Sequence, residues 1–263
     1  MHNQFVPNDH LKSQEFLNEI SKWTEKKKMV LNEKKSKVMI FNFSKKCQFT
    51  TNLKLKKESL EVVNETKLLG TVISSDLKWN KNTDKIVGDA NKRMKMLHVA
   101  GKFINNYSDL VYLYKTFIRS VLEFSAVVWH SSLSKNNVSD IERVQKSAVK
   151  IILKDQYKDY NSALKQLNLQ TLSRRREVLC LRFAKKSIKL QTFKNLFPLN
   201  KKKHCMKKRR PRKFFENPAN TDRYLKSSIP YMQSLLNKED VMLKDFYASE
   251  SCLNDSITID NLH

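Results

Sequence analysis

The side chains of this 263-residue chain best suited to chemistry are cations. Arg174, Arg175, Arg182, Lys185 and Lys186 recur on a stretch of helical periodicity, and KKKHCMKKRRPRK follows at 201–213. Between Arg174 and Lys213 stand seventeen Lys or Arg against one acid, Glu177. Lys201, Lys202 and Lys203 open the second run, Lys207, Lys208, Arg209 and Arg210 fill its middle, and Arg212 and Lys213 close it. Clustered cations suit the holding of phosphates, through sequence-independent contacts that release counterions and weaken with salt. Taken alone, the 201–213 run reads equally well as a solvated face or unstructured tail. It also has the form of a nuclear localisation signal, and Pro211 rules out one continuous helix through it.

Other chemistries lack their residues. The cysteines Cys47, Cys180, Cys205 and Cys252 lie far apart with no Cys-x-x-Cys pair, so the spacing offers neither a zinc site nor an oriented nucleophile. Free thiols suit a reducing compartment. MHNQFVPNDHLKSQ at the N-terminus has no apolar core, so the expected location is nuclear or cytoplasmic and not secreted. The most apolar stretch, Leu110 to Trp129, is interrupted every four residues by Lys115, Arg119 and Glu123, a polar stripe on a buried helix that argues against a membrane span. Trp23, Trp79 and Trp129 each sit among apolar neighbours and read as core rather than base-stacking platforms. The net charge of +25 points to a polyanionic partner, RNA or DNA, and no small-molecule substrate is indicated.

The elements that must position these cations suggest an α+β chain. A helix over Leu11 to Lys27 carries Phe16, Leu17, Ile20 and Trp23 on one face. Lys37 to Phe43 reads as a buried strand, Phe49 to Leu55 alternates as a half-exposed strand, and Lys56 to Ser59 turns it back into Leu60 to Val63. Leu68 to Ile73 reads as a further strand with Gly70 inside it, which marks a bulge or a close approach of another backbone. From about residue 80 the pattern is helical. Ile86, Ala90, Met94 and Leu97 form one apolar face, and Leu110, Leu113, Phe117 and Val121 another, widened by Tyr114, Ile118 and Leu122. Ser139-Asp140-Ile141-Glu142 has the form of a capping box opening a helix with Ile141, Val144, Ala148 and Ile151 inward. A short helix over Tyr160 to Leu167 precedes the basic helix, which starts near Thr171 and turns Leu179, Phe183 and Ile188 inward. After Asn237 an acidic stretch with little periodicity is expected to be poorly ordered.

The stretches LNEISKWTEKKKMVLNEKKSKVMIFNF, ETKLLGTVISSDLKWN, IRSVLEFSAVVWHSSL, DIERVQKSAVKIIL and RYLKSSIPYMQSLLN occur in this order. Together they resemble the C-terminal part of reverse transcriptases of non-LTR (LINE-type, jockey-like) retrotransposons, over roughly residues 9 to 238. The resemblance implies a small antiparallel sheet, the remnant of a polymerase palm, at 1–75; an all-helical thumb at 76–190; a basic, partly disordered extension at 191–238; and an acidic tail at 239–263. Leu69 and Gly70 match the family's primer-grip segment, where backbone lies along the primer strand, and the basic residues would track a template–primer duplex. The family holds two Mg²⁺ ions on an early palm aspartate and an adjacent aspartate pair. This sequence contains no two adjacent aspartates, and its only neighbouring acids are Glu239-Asp240. The resemblance therefore implies a truncated RNA-directed DNA polymerase fragment with no catalytic or metal-binding residues and residual non-specific nucleic-acid binding; Mg²⁺ is expected only in the intact enzyme. Two alternatives stand beside it: one part of a polymerase completed by another chain, and a host structural or DNA-binding helical protein.

Overall fold

A computed structural model describes residues 9–43, 51–56, 58–199, 214–216 and 218–238. The chain is mostly helical with a few small sheets, an α+β composition, and divides into two units, Met1–Lys85 and Ile86–His263.

In the first unit, α1 (Asp9–Lys26) packs against the hairpin formed by β2 (Lys54–Leu55) and β3 (Glu58–Ser59). The Gln14 amide imitates a neighbouring strand there, donating Nε2–H to the Lys54 carbonyl at 2.8 Å and accepting from the Lys54 N–H at 2.9 Å. The expected single antiparallel sheet is absent from the described residues. Three two-stranded pieces replace it, and one of them, β1 (Lys37–Val38) with β4 (Glu61–Val62), is parallel. The buried strand expected over Lys37 to Phe43 shrinks to those two residues, with Phe41 and Phe43 exposed. The face expected on α1 also differs, since Phe16 and Trp23 are exposed and Thr24 is buried. The common cause is burial. Among the described large apolar residues of this unit only Leu55 and Trp79 are buried, so no core exists for a strand face to pack against.

Gly70 is not inside a strand. β5 (Glu65–Leu68) and β6 (Thr71–Ser74) form an antiparallel hairpin, and Leu69-Gly70 is its two-residue turn. Both turn residues have positive φ, 46° and 89°, as a type I′ turn requires. Glycine meets this demand without strain, whereas leucine in the left-handed region costs about 1–2 kcal/mol. Leu69→Asn, which restores the Asn-Gly pair favoured in such turns, is expected to stabilise the hairpin by about 1 kcal/mol, and Gly70→Ala to weaken it by a similar amount. Amide exchange across β5 and β6 reads both changes; equal protection in Leu69→Asn and the parent would show the turn to be unstrained.

α2 (Asn80–Phe103) runs on into the second unit, where Ile86, Ala90, Met94 and Leu97 are buried as their spacing predicts. α3 (Tyr107–Leu113) continues through a π-helical stretch, Tyr114–Arg119, into α4 (Ser120–Leu122). The wider i→i+5 turn aligns residues four apart. Leu110, Tyr114, Ile118 and Leu122 thus become the fully buried line, and Phe117, expected inside, is exposed. α5 (Ala126–Trp129) follows a break at Ser125, whose φ is 53°.

α6 (Lys135–Leu153) begins four residues before the expected capping box. Its cap is Ser134, whose side chain accepts from the Asn137 N–H at 3.1 Å. Glu142 is released for tertiary contacts, taking the Leu172 N–H and the Tyr160 hydroxyl. Gln145, fully buried, accepts from Tyr114 Oη–H at 2.6 Å and donates to Tyr160 Oη at 2.8 Å and the Gln170 carbonyl at 2.9 Å. This network ties the π-helical stretch and α6 to α7 (Tyr160–Gln166) and to the start of α8 (Leu172–Lys189). α8 buries Leu172, Cys180, Leu181 and Ala184, while Phe183 is exposed and Leu179 half-buried.

From the stretch expected as a basic extension at 191–238, Phe197, Phe214, Met232, Leu235 and Leu236 share a core with Cys180 and Leu181 of α8. α9 (Asp222–Leu225) leads into α10 (Ser228–Asn237), which lies against α8.

Candidate nucleic-acid interface

The expected cations do not form one surface. Arg175 makes a bidentate pair with Glu123, Nε at 2.6 Å from Oε1 and one terminal nitrogen at 3.2 Å from Oε2. Arg119 approaches the same carboxylate at 3.8 Å. Lys115 stands one turn before Arg119 and is felt by both guanidinium groups, so a single acid serves two of three neighbouring cations in a partly buried cluster. Burial, followed by the nearby Arg119 and Arg175 guanidinium groups, lowers the Lys115 ammonium below the ordinary lysine range. Burial and then Arg175 likewise lower Arg119, against the opposing pull of Glu123. The polar stripe on the Leu110–Trp129 stretch is therefore a positively charged seam between the π-helical stretch and α8, suited to an anion. Arg174 pairs with Glu177 at 3.2 Å. Arg182 and Lys186 are exposed on the outer side of α8, and Lys185 is half-buried.

Arg176, between these residues in sequence, faces the other way and is fully buried. It donates from Nε to His130 Nδ1 at 3.2 Å and lies 5.7 Å from the Trp129 ring centroid. Tyr231 meets His130 edge-on, with ring centroids 5.8 Å apart. This buried cluster joins α5, α8 and α10. The 3.6-residue period places 176 on the same face as Leu172 and Leu179, a signal masked by the three consecutive arginines.

The run at 201–213, including Lys201 to Lys203, Lys207 to Arg210, Arg212 and Lys213, lies outside the described residues. Its flanks are pinned together: Leu199 and Phe214 form an antiparallel bridge, and Phe214 is clamped by the Asn237 amide through bonds of 2.9 and 3.1 Å. Leu69 and Gly70 stand at the hairpin tip, with the Leu69 side chain 88% exposed. Sequence reasoning missed a further set. Arg143, Lys146, Lys150 and Lys154 follow at three- and four-residue spacing on the exposed side of α6, and the charge periodicity opposite Val144 and Ala148 was the available signal.

Trp79 and Trp129 are buried, whereas Trp23, expected in a core, is 55% exposed. Burial pushes the Cys180 thiol up to about 12, which suits packing and not nucleophilic attack. Among the described residues no three His, Cys, Asp or Glu side chains converge to hold a metal ion, and no helix is long and apolar enough to cross a membrane. No family model, curated protein or solved structure matches the chain.

Proposed function

We propose that this chain is a nucleic-acid-holding segment related to the palm end and thumb of non-LTR reverse transcriptases, and that it grips RNA or DNA by its phosphates without performing the polymerase chemistry itself. The observation that carries the proposal is the surplus of cations over acids on the helical unit: Arg119 and Arg175 share Glu123, Lys115 lies within electrostatic reach of both guanidinium groups, and Arg182 and Lys186 are exposed on α8. The hairpin tip supports the same reading. A leucine held at positive φ with an exposed side chain serves no packing, and strain of this kind recurs where chains meet ligands. In this reading Leu69-Gly70 lies along a primer strand, and the basic run at 201–213 adds phosphate contacts.

A salt titration with an RNA–DNA hybrid tests the proposal. With about four phosphates neutralised, affinity is expected to fall on the order of a hundredfold between 50 and 200 mM salt. Arg182→Glu with Lys186→Glu is expected to lower both the affinity and the salt slope. Binding that ignores salt would reject phosphate holding. Primer extension by the purified chain would reject the non-catalytic assignment, and a sharply preferred DNA sequence would favour a host DNA-binding protein, since phosphate contacts carry no sequence information.

A further inference from the structure

We propose that the cleft between the C-terminal ends of α2 and α6 is a phosphate subsite for single-stranded nucleic acid, with Phe103 as the surface on which one base stacks. The inference rests on the reading that the helical unit binds nucleic acid, but it names a place that neither α8 nor the 201–213 run provides. The cleft has a volume of about 290 Å³ and is lined by His98, Gly101, Lys102, Lys150, Ile151 and Lys154. Gly101 faces Ile151 across its floor, where an added Cβ would meet Ile151 Cγ2 at an ordinary contact distance of 3.6 Å. Lys102, Lys150, Lys154 and His98 line the cleft largely through their carbon atoms, which leaves the three ammonium groups for its rim, and no acidic residue lines it.

Among the described residues none of the three lysines has an acidic partner. Lys150 is positioned by the Tyr157 ring, 5.3 Å from its centroid, a contact that orients the ammonium without neutralising it. A helix C-terminus attracts lysines by its own dipole, which accounts for Lys102 and Lys150. The same dipole reaches Lys154 but does not account for the backbone conformation held there. That residue caps α6 with φ at 49°, where glycine is the usual occupant and leaves no strain. A long cationic side chain there carries a backbone cost and brings a third positive charge to one small cleft.

Phe103 makes the strand single. It follows Lys102 directly, ends α2 and is 80% exposed, with Val99 and Met96 exposed on the preceding turns. Exposed aromatic side chains beside a cationic groove bind unpaired bases by stacking, a contact that a duplex does not offer.

The test uses the full chain and a twelve-nucleotide oligothymidylate, with anisotropy read against salt. Lys102→Gln, Lys150→Gln and Lys154→Gln together are expected to weaken binding on the order of tenfold or more at 50 mM salt. The slope of log affinity against log salt should become shallower by about 2, from roughly 0.7 per single-strand phosphate contact. Lys22→Gln, Lys135→Gln and Lys165→Gln remove the same charge from exposed positions elsewhere, and should change binding less than twofold. Phe103→Ala should lose about tenfold with the slope unchanged, and should spare a blunt duplex. Unaltered thermal midpoints establish that each variant is folded. Equal losses in the two lysine triples, or an unaffected Phe103→Ala, overturn the subsite while leaving nucleic-acid binding intact. Failure of the parent chain to bind any oligonucleotide at low salt sinks the underlying reading instead.

Discussion

Acidification from pH 6.5 to pH 4 is expected to remove about 3 kcal/mol of folding stability through one side chain, His130. The imidazole is buried, and its Nδ1 accepts the Arg176 Nε–H at 3.2 Å. That nitrogen is therefore unprotonated in the fold, and the ring proton sits on Nε2, which faces the Tyr231 hydroxyl at 3.5 Å. Burial first, and then the positive charge of Arg176, lower the His130 pKa to about 4. An unfolded histidine takes its proton near pH 6.5. Between these values the unfolded chain binds a proton that the folded chain refuses, so stability is complete above about pH 6.5 and drains away as pH falls through the window. The difference of about 2.5 pH units corresponds to roughly 3 kcal/mol. His130→Asn isolates the histidine, because its Oδ1 can still accept from Arg176 but does not titrate. Urea unfolding across this range should show a clearly flatter profile for the variant. Parallel profiles would place the acid sensitivity elsewhere.

The helical unit was largely legible in the sequence, because its helices bury continuous apolar faces. Ile86, Ala90, Met94 and Leu97 lie inside as their spacing predicts, and α7 and α8 begin where Asp159 and Thr171 can cap them. Errors arose where a local signal had a competitor. Ser139-x-x-Glu142 satisfies the capping-box pattern, but Ser134 caps the helix, and Glu142 bonds Leu172 and Tyr160 instead. The π-helical stretch moved the buried line from Phe117 to Ile118, and no residue in Tyr114–Arg119 announces such a turn. Strands were the least legible. Period-two alternation describes a strand only when a core exists to accept one face, and Leu55 and Trp79 supply almost none. For the candidate interface, sequence reasoning recognised the charge but not its distribution. Three adjacent arginines became an ion pair with Glu177, a bidentate pair with Glu123 and a fully buried side chain. Only tertiary packing decides among such fates.

The buried member of that trio gives the second large effect. Among the described residues Arg176 makes one hydrogen bond, to a neutral histidine, and neither of its terminal nitrogens has a partner. Burial lowers its pKa, only partly offset by Glu142 and Glu123. A desolvated cation compensated this poorly is a net cost, and apolar replacements of similar volume at such sites stabilise by about 1–4 kcal/mol. Arg176→Met is accordingly expected to raise stability by about 2 kcal/mol, seen as a higher urea midpoint at unchanged slope. Arg176→Ala should instead destabilise by roughly 2–4 kcal/mol, because it opens a cavity beside Trp129 and Cys180. The opposite signs separate the charge of the side chain from its volume. Two further readouts follow from its position. Removing the positive charge beside His130 should let that ring accept a proton more readily, so Arg176→Met loses less stability than the parent on acidification. Nucleic-acid affinity should stay the same in Arg176→Met, because the side chain is wholly inside, whereas Arg182→Glu with Lys186→Glu reduces it. A destabilised Arg176→Met would mean that the guanidinium is satisfied in solution, for example by buried water, and that its retention needs no other explanation than its own hydrogen bonds.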